Sequence, residues 1–184
     1  MKTYQKILFP IIVAAQLFVL VFMITKQELL LANGTKVLLK CAPVDPRSLF
    51  SGDYVILNYE ISTIKYDIIS ITSNIEGIYS LEKKNIYVAL KKKPNDIHYH
   101  IAAVSDNLDE LKSNYSIIIR GRVEYAGSDG VRVKYGVETY FVPQREGKEI
   151  EKNLANTSVE VSIADNGDSA VSKLFIDNEE VRFY

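Results

Sequence analysis

Eighteen consecutive residues, Ile7 to Ile24, are almost wholly apolar, with Gln16 the one polar side chain among them. Such a run has few folded solutions, because its backbone must satisfy its own hydrogen bonds wherever water is excluded. As a helix it reaches about 27 Å, close to the ~30 Å hydrocarbon core of a bilayer. Lys2 and Lys6 make a basic lead-in of the kind a secretory signal carries. A removable signal, however, has an apolar core of about 7–15 residues followed by a small-x-small site. Here Lys26, Gln27, Glu28 and Leu29-Leu30-Leu31 follow, and no Ala-x-Ala appears. Leu38-Leu39-Lys40-Cys41 resembles a lipoprotein cleavage box only loosely, since Lys40 stands where a small residue is needed. The reading is an uncleaved signal anchor: a cytoplasmic tail over 1–6, a membrane helix over 7–32 stopped by Asn33-Gly34, and an extracytoplasmic domain over 33–184. Positive charges flank both ends of the helix, so the orientation rests on the shortness of the tail.

The region beyond the anchor reads as one folded domain of about 150 residues, large enough for a core of its own. At 47% hydrophobic and 24% charged residues, with a net charge of −1, the chain lacks the basic excess that phosphate binding requires, which argues against a nucleic-acid partner. One cysteine, Cys41, forbids an internal disulfide and is either a small buried apolar residue or an exposed thiol.

The dominant period is two. Val131, Val133, Tyr135 and Val137 alternate with Arg132, Lys134, Gly136 and Glu138, the pattern of a strand with one face on a core. The same alternation runs through Val55–Ile61, Ile86–Leu90, Ile117–Val123 and Val159–Ile163. Turn signals separate the runs: Ala126–Gly130, Asp165–Asp168 and Asp177–Glu179. The last predicts a hairpin of Leu174–Ile176 with Val181–Phe183. Helix is expected only in short pieces, at Gly147–Ala155, Ser73–Leu81 and Asp106–Ser113, the last capped by Asp106. The fold class is mainly β, an antiparallel sandwich or partly open barrel with one or two short helices behind a single transmembrane helix.

Between anchor and sheet, Pro43 and Pro46 hold the chain extended, and Asp45 suits an Asx turn toward Arg47 or Ser48. Gly52-Asp53-Tyr54, Leu57 and Tyr59 then match the pattern that names the GDYXXLXY family. The lead-in Pro43–Phe50 resembles that family's too, and so, in the same order, do Arg120–Val123, Tyr135–Pro143 and Gly147–Glu151. The resemblance covers most of the chain after the anchor. It implies a small bacterial membrane-anchored protein, often encoded near multi-span membrane proteins, and marks Asp45, Arg47, Gly52, Asp53, Tyr54, Leu57, Tyr59, Tyr135, Gly136, Glu138, Tyr140, Phe141 and Pro143 as motif positions without assigning them chemistry. Thr139 and Gln144 depart from it, standing where many members carry a charge.

Two readings of those positions compete. In one, Arg47 pairs with Asp53 or Glu138, Tyr54 and Tyr59 pack on opposite faces, and the motif fastens the lead-in loop to the sheet. In the other, Asp45, Asp53 and Glu138 converge on a groove that binds a ligand or supplies an acid and base. An alternative is a hydrolase or its inactive relative, because Pro46–Val55 resembles the segment after the nucleophile of membrane signal peptidases. The nucleophile's place falls among Cys41, Ala42 and Pro43, and no His or Lys is placed to activate Cys41. His98 and His100 would share a strand face but lack a third metal ligand. Lys91-Lys92-Lys93 reads as a guarded strand edge or as a lipid contact. With no catalytic set, metal or cofactor indicated, the expectation is a tethered domain that works by contact, with the lipid bilayer and a multi-span membrane protein as partners.

Overall fold

A computed structural model describes residues 3–43, 54–66, 68, 82–127, 130–143, 150 and 153–182. Its elements in chain order are helix α1 (Thr3–Asn33), strands β1 (Thr35–Lys40), β2 (Tyr54–Ile56), β3 (Thr63–Ile64), β4 (Asn85–Lys92) and β5 (Tyr99–Ser105), helix α2 (Leu108–Lys112), and strands β6 (Ile118–Gly127), β7 (Gly130–Lys134), β8 (Thr139–Phe141), β9 (Thr157–Ile163), β10 (Ser169–Ile176) and β11 (Glu179–Glu180). Among the described residues, α1 is the helix long and apolar enough to cross a membrane, by length and composition. Phe9, Phe18 and Met23 all face outward from it, so it is apolar all round rather than along one stripe. The helix ends at Asn33, where the Gly34 amide bonds the Leu30 carbonyl. A side chain at Gly34 would sit 2.5 Å from Ser162 Oγ, so glycine here permits the close approach of α1 to β9.

The strands form three antiparallel sheets. One has the order β1-β9-β10-β11, a second β3-β7-β6-β4-β5, and a two-stranded ribbon pairs β2 with β8. β1 also lies near β5, so the two large sheets curve toward each other as a half-barrel. The inward positions of both build one core: Val37 and Leu39, Ile86 and Val88, Ile119 and Val123, Val131 and Val133, Val159 and Val161, and Leu174. The anticipated alternation is thus the core itself. A small second cluster, Ala89, Ala103, Leu111 and Ile118, seats α2 on the outer face of β4, β5 and β6 and explains why β4 is buried on both faces.

Several expectations need correction. Val55, Leu57, Tyr59 and Ile61 are all buried, yet they do not lie on one strand. β2 stops at Ile56, Tyr59 makes an isolated bridge to Cys41, and Glu60–Ser62 is a 3-10 turn. α2 is capped by Asn107, whose side chain accepts from the Asp109 amide, and not by Asp106. β11 pairs Glu179 and Glu180 with Ile176 and Phe175, so the last hairpin closes two residues earlier than expected. Its turn residues Asp177 and Asn178 both have positive φ (51° and 69°), the geometry of a tight two-residue hairpin, and the Val181 amide continues the pairing to the Leu174 carbonyl. Of the helix expected over Gly147–Ala155, residues 147–149, 151 and 152 lie outside the described residues; Ile150 is helical and buried, and Leu154–Asn156 is a 3-10 turn. The Ser73–Leu81 expectation lies outside the described residues.

Candidate functional site

The motif residues meet at the ribbon. β2 and β8 pair Tyr54 with Phe141, Val55 with Tyr140 and Ile56 with Thr139. Immediately beyond the ribbon, the Leu57 amide donates to the Glu138 carbonyl at 2.7 Å. Two phenols then cross in opposite senses. Tyr59 donates its hydroxyl to the Val137 carbonyl at 2.5 Å, and Tyr135 donates its own to the Ile61 carbonyl at 2.6 Å. The turn that carries the partner block is held by Glu138, whose carboxylate accepts from the Tyr135 amide at 2.5 Å and the Gly136 amide at 2.9 Å. Gly136 has φ +82°, with open space where a Cβ would go, so glycine serves the backbone angle there and not a close contact. Two blocks about 80 residues apart are therefore one reciprocal clasp. Burial pushes the phenols of Tyr59 and Tyr135 up, which keeps both as donors.

Leu57 is fully buried beneath the clasp, Tyr140 is half-buried, and Pro143 is exposed. Tyr54 lies edge-on to Phe141, ring centroids 6.3 Å apart, and Phe141 is 76% exposed. Asp45, Arg47, Gly52 and Asp53 lie outside the described residues, so the convergence of Asp45, Asp53 and Glu138 and the pairing of Arg47 lie there too. Beside the clasp a groove of about 430 Å³ runs between β2 and β7, with Pro43, Asn58, Ser62, Glu124, Arg132, Lys134 and Glu138 on its walls. Lys134 and Glu124 neutralise each other across 2.5 Å. Glu138 faces this groove with its oxygens already taken by two amides, which suits fastening better than proton transfer.

Cys41 is 1% exposed, and burial pushes its thiol up to about 12. It is the small buried residue of the two alternatives, and a thiol so protonated is a poor nucleophile at neutral pH.

The two histidines belong to a second polar cluster whose partners, Asp96 and Ser158, the sequence reading missed; His98 precedes β5 and does not share a strand face with His100. Asp96 accepts from the His98 amide at 2.9 Å and contacts His98 Nδ1 at 3.1 Å and His100 Nε2 at 2.7 Å, while His98 Nε2 meets Ser158 Oγ at 2.8 Å. The signal was the spacing, a carboxylate two and four residues ahead of the histidines. The order Ser158, His98, Asp96 has the connectivity of a nucleophilic triad. It lacks the rest of one: Ser158 is 7% exposed, and β9 runs between β1 and β10, so its amides are spent in two ladders instead of facing an oxyanion. The cluster instead ties the start of β5 to β9. Both ring nitrogens of His98 are engaged, and the described residues hold no group of three or more His, Cys, Asp or Glu placed for a metal ion.

The family described as "GDYXXLXY protein" matches the chain over residues 16–174, which takes in the C-terminal part of α1 and both halves of the clasp. No curated protein and no solved structure matches the chain.

Proposed function

The chain belongs to the GDYXXLXY family, and we propose that it is a membrane-anchored, extracytoplasmic interaction or structural subunit of a bacterial envelope complex, with a multi-span membrane protein as partner. The observation that carries this reading is the outer face of the ribbon. Half-buried Tyr54, with Ile56 and the 76% exposed Phe141, forms an apolar face on the ribbon that the clasp adjoins. Exposed apolar patches rimmed by charge mark contact surfaces, and a rigid backing reduces the ordering cost of binding. Family members encoded near multi-span membrane proteins fit a partner in the same bilayer. The hydrolase alternative loses support from the protonated, buried Cys41 and from Glu138, whose oxygens are occupied.

The test is affinity purification of the full chain in mild detergent, wild type against Phe141→Glu. Recovery of a membrane partner with wild type and its loss with the variant is expected; recovery of this chain alone from wild type rejects the proposal.

A further inference from the structure

α1 is fastened to its domain by a set of polar contacts. Lys26 Nζ lies 2.8 Å from Asp168 Oδ2, and Asp168 also meets Arg120 at 2.5 Å and Asn166 at 3.0 Å. Higher on the helix, the Leu30 carbonyl accepts from Ser162 Oγ at 2.7 Å, and Lys36 reaches back to the Leu31 carbonyl at 2.7 Å while also holding Ser172 at 3.0 Å. The turn between β9 and β10 is itself closed by the Ala164 amide on the Asp168 carbonyl and the Gly167 amide on the Ala164 carbonyl. Gly167 packs its α-carbon against Arg120, with φ +85° and room for no side chain.

These links fix a height. Taking the hydrocarbon core to end with the apolar run at Ile24, so that the rest of the helix to Asn33 stands in the polar layer and beyond, Lys26 is two residues further on, about 3 Å along the helix axis. The polar layer of a bilayer is roughly 5–7 Å deep on each side of its hydrocarbon core. A turn bonded to Lys26 therefore lies inside that layer, and a typical tilt of about 20° displaces a point about 10 Å off the axis by only about 3 Å. Charge at this level is nearly balanced: Lys26 and Arg120 share Asp168, and Lys112 lines the same hollow as Asp165. A second hollow of about 280 Å³ between Leu29, Asn33 and Asp165 has an apolar floor.

We infer that the turn Asp165–Asp168 is a second membrane contact that rests in the headgroup layer of the bilayer α1 spans, and that it suits a zwitterionic phospholipid surface. The inference rests on the membrane anchoring proposed above. It makes the domain a body held at one attitude to the membrane, with the β2–β8 ribbon presented at a fixed angle. Lys91–Lys93 cannot share this contact. His98 next to them binds Ser158, which pairs with Lys40 at the end of β1 remote from α1, about 16 Å along the strand.

The test uses the full chain in phosphatidylcholine vesicles, with a fluorophore attached to Asn166→Cys or, as the distal control, to Lys93→Cys; buried Cys41 stays in place and the wild-type chain reports any labelling there. Lipids spin-labelled at the headgroup are expected to quench the probe at 166 several-fold more than at 93, and equally when a third of the lipid is anionic. Equal quenching at the two sites overturns the inference, and so does quenching at 166 that appears only with anionic lipid. An alkaline carbonate wash of the same vesicles separates the two failures: release of the chain defeats the anchoring itself, whereas a retained chain with equal quenching defeats only the second contact.

Discussion

Replacing Tyr59 or Tyr135 by phenylalanine tests whether the motif fastens the fold. Each change removes one hydroxyl and no carbon, so packing is kept and a single hydrogen bond is lost. Tyr59 is 1% exposed and its bond to Val137 spans 78 residues; Tyr135 is also buried, and its bond to Ile61 spans 74. Removing one partner of a buried pair costs about 1–3 kcal/mol, because the carbonyl left behind is shielded from water. In a domain of this size 1 kcal/mol lowers the melting temperature by about 2–4 °C, which puts each variant roughly 2–12 °C below wild type. The two bonds close the same pair of segments, so cutting the first loosens the second. The double variant should then lose less than the sum, with a coupling of about 0.5 kcal/mol or more. Thermal unfolding of the detergent-solubilised full chain, followed by circular dichroism in the β region, supplies all three values. Single variants within about 1 °C of wild type, or a double variant that is strictly additive, would refute the clasp.

Three further outcomes follow from particular contacts. Gly121→Ala drives a methyl group into Val133 and to 2.9 Å from the Tyr135 ring, both buried, and overpacking of this kind should destabilise by about 1–3 kcal/mol, read as an earlier urea midpoint with an unchanged slope. The His98 amide, followed by the His100 ring, holds the Asp96 carboxyl well below the usual carboxylate range, so its stabilisation is complete above about pH 4 and is lost as pH falls below it; the melting-temperature gap between wild type and Asp96→Asn should shrink as pH drops from 4 toward 2, and a gap that widens contradicts the assignment. Cys41, with its thiol pushed up to about 12, should resist iodoacetamide in the folded chain at pH 7.5 and react once urea unfolds it, as mass spectrometry of the labelled protein will record.

Much of this architecture is legible in the residues because it is local. Val159, Val161 and Ile163 announce their strand by alternation, and Asp165–Asp168 and Asp177-Asn178 announce their turns by composition. Where the reading slips, two local solutions compete. Asp106 and Asn107 are both good caps, and nothing in their neighbourhood decides between them until Ser105 commits its hydroxyl to Glu110. The run from Val55 to Ile61 keeps a period of two in burial while its backbone leaves the sheet, because alternate burial needs only alternate side chains facing the core. The clasp was out of reach for a different reason. The recurrence of Tyr59 and Tyr135 in motif blocks marks them as a set, but which carbonyl each hydroxyl finds depends on contacts 74 to 78 residues distant. Asp96 with His98 and His100 had a readable spacing, whereas Ser158 joins them only because β9 and the start of β5 are brought together by the fold.

The clasp also accounts for why the motif has two halves. A two-stranded ribbon such as β2–β8, three residues on each side, is marginal alone in water. Its outward residues add little to hold it: Tyr54 is half-buried, Ile56 is 37% exposed, and Phe141 is among the most exposed large apolar side chains beyond α1. The ribbon therefore depends on what lies behind it: Val55 and Leu57 in the core, Glu138 on its turn, and two phenols tying 59–61 to 135–137. An exposed apolar strand pair with so many buried supports is expensive to keep unless something covers it. The inward residues of the motif hold the ribbon, and the outward ones form the surface on which the proposed partner would rest. Tyr59→Phe should weaken folding and partner recovery together, while Phe141→Glu should abolish recovery and lower the melting temperature by no more than about 3 °C, the loss of one exposed cross-strand ring pair with Tyr54. A Phe141→Glu chain that melts as far below wild type as Tyr59→Phe, or further, would place that ring in the support of the fold and remove the surface on which the proposed partner rests.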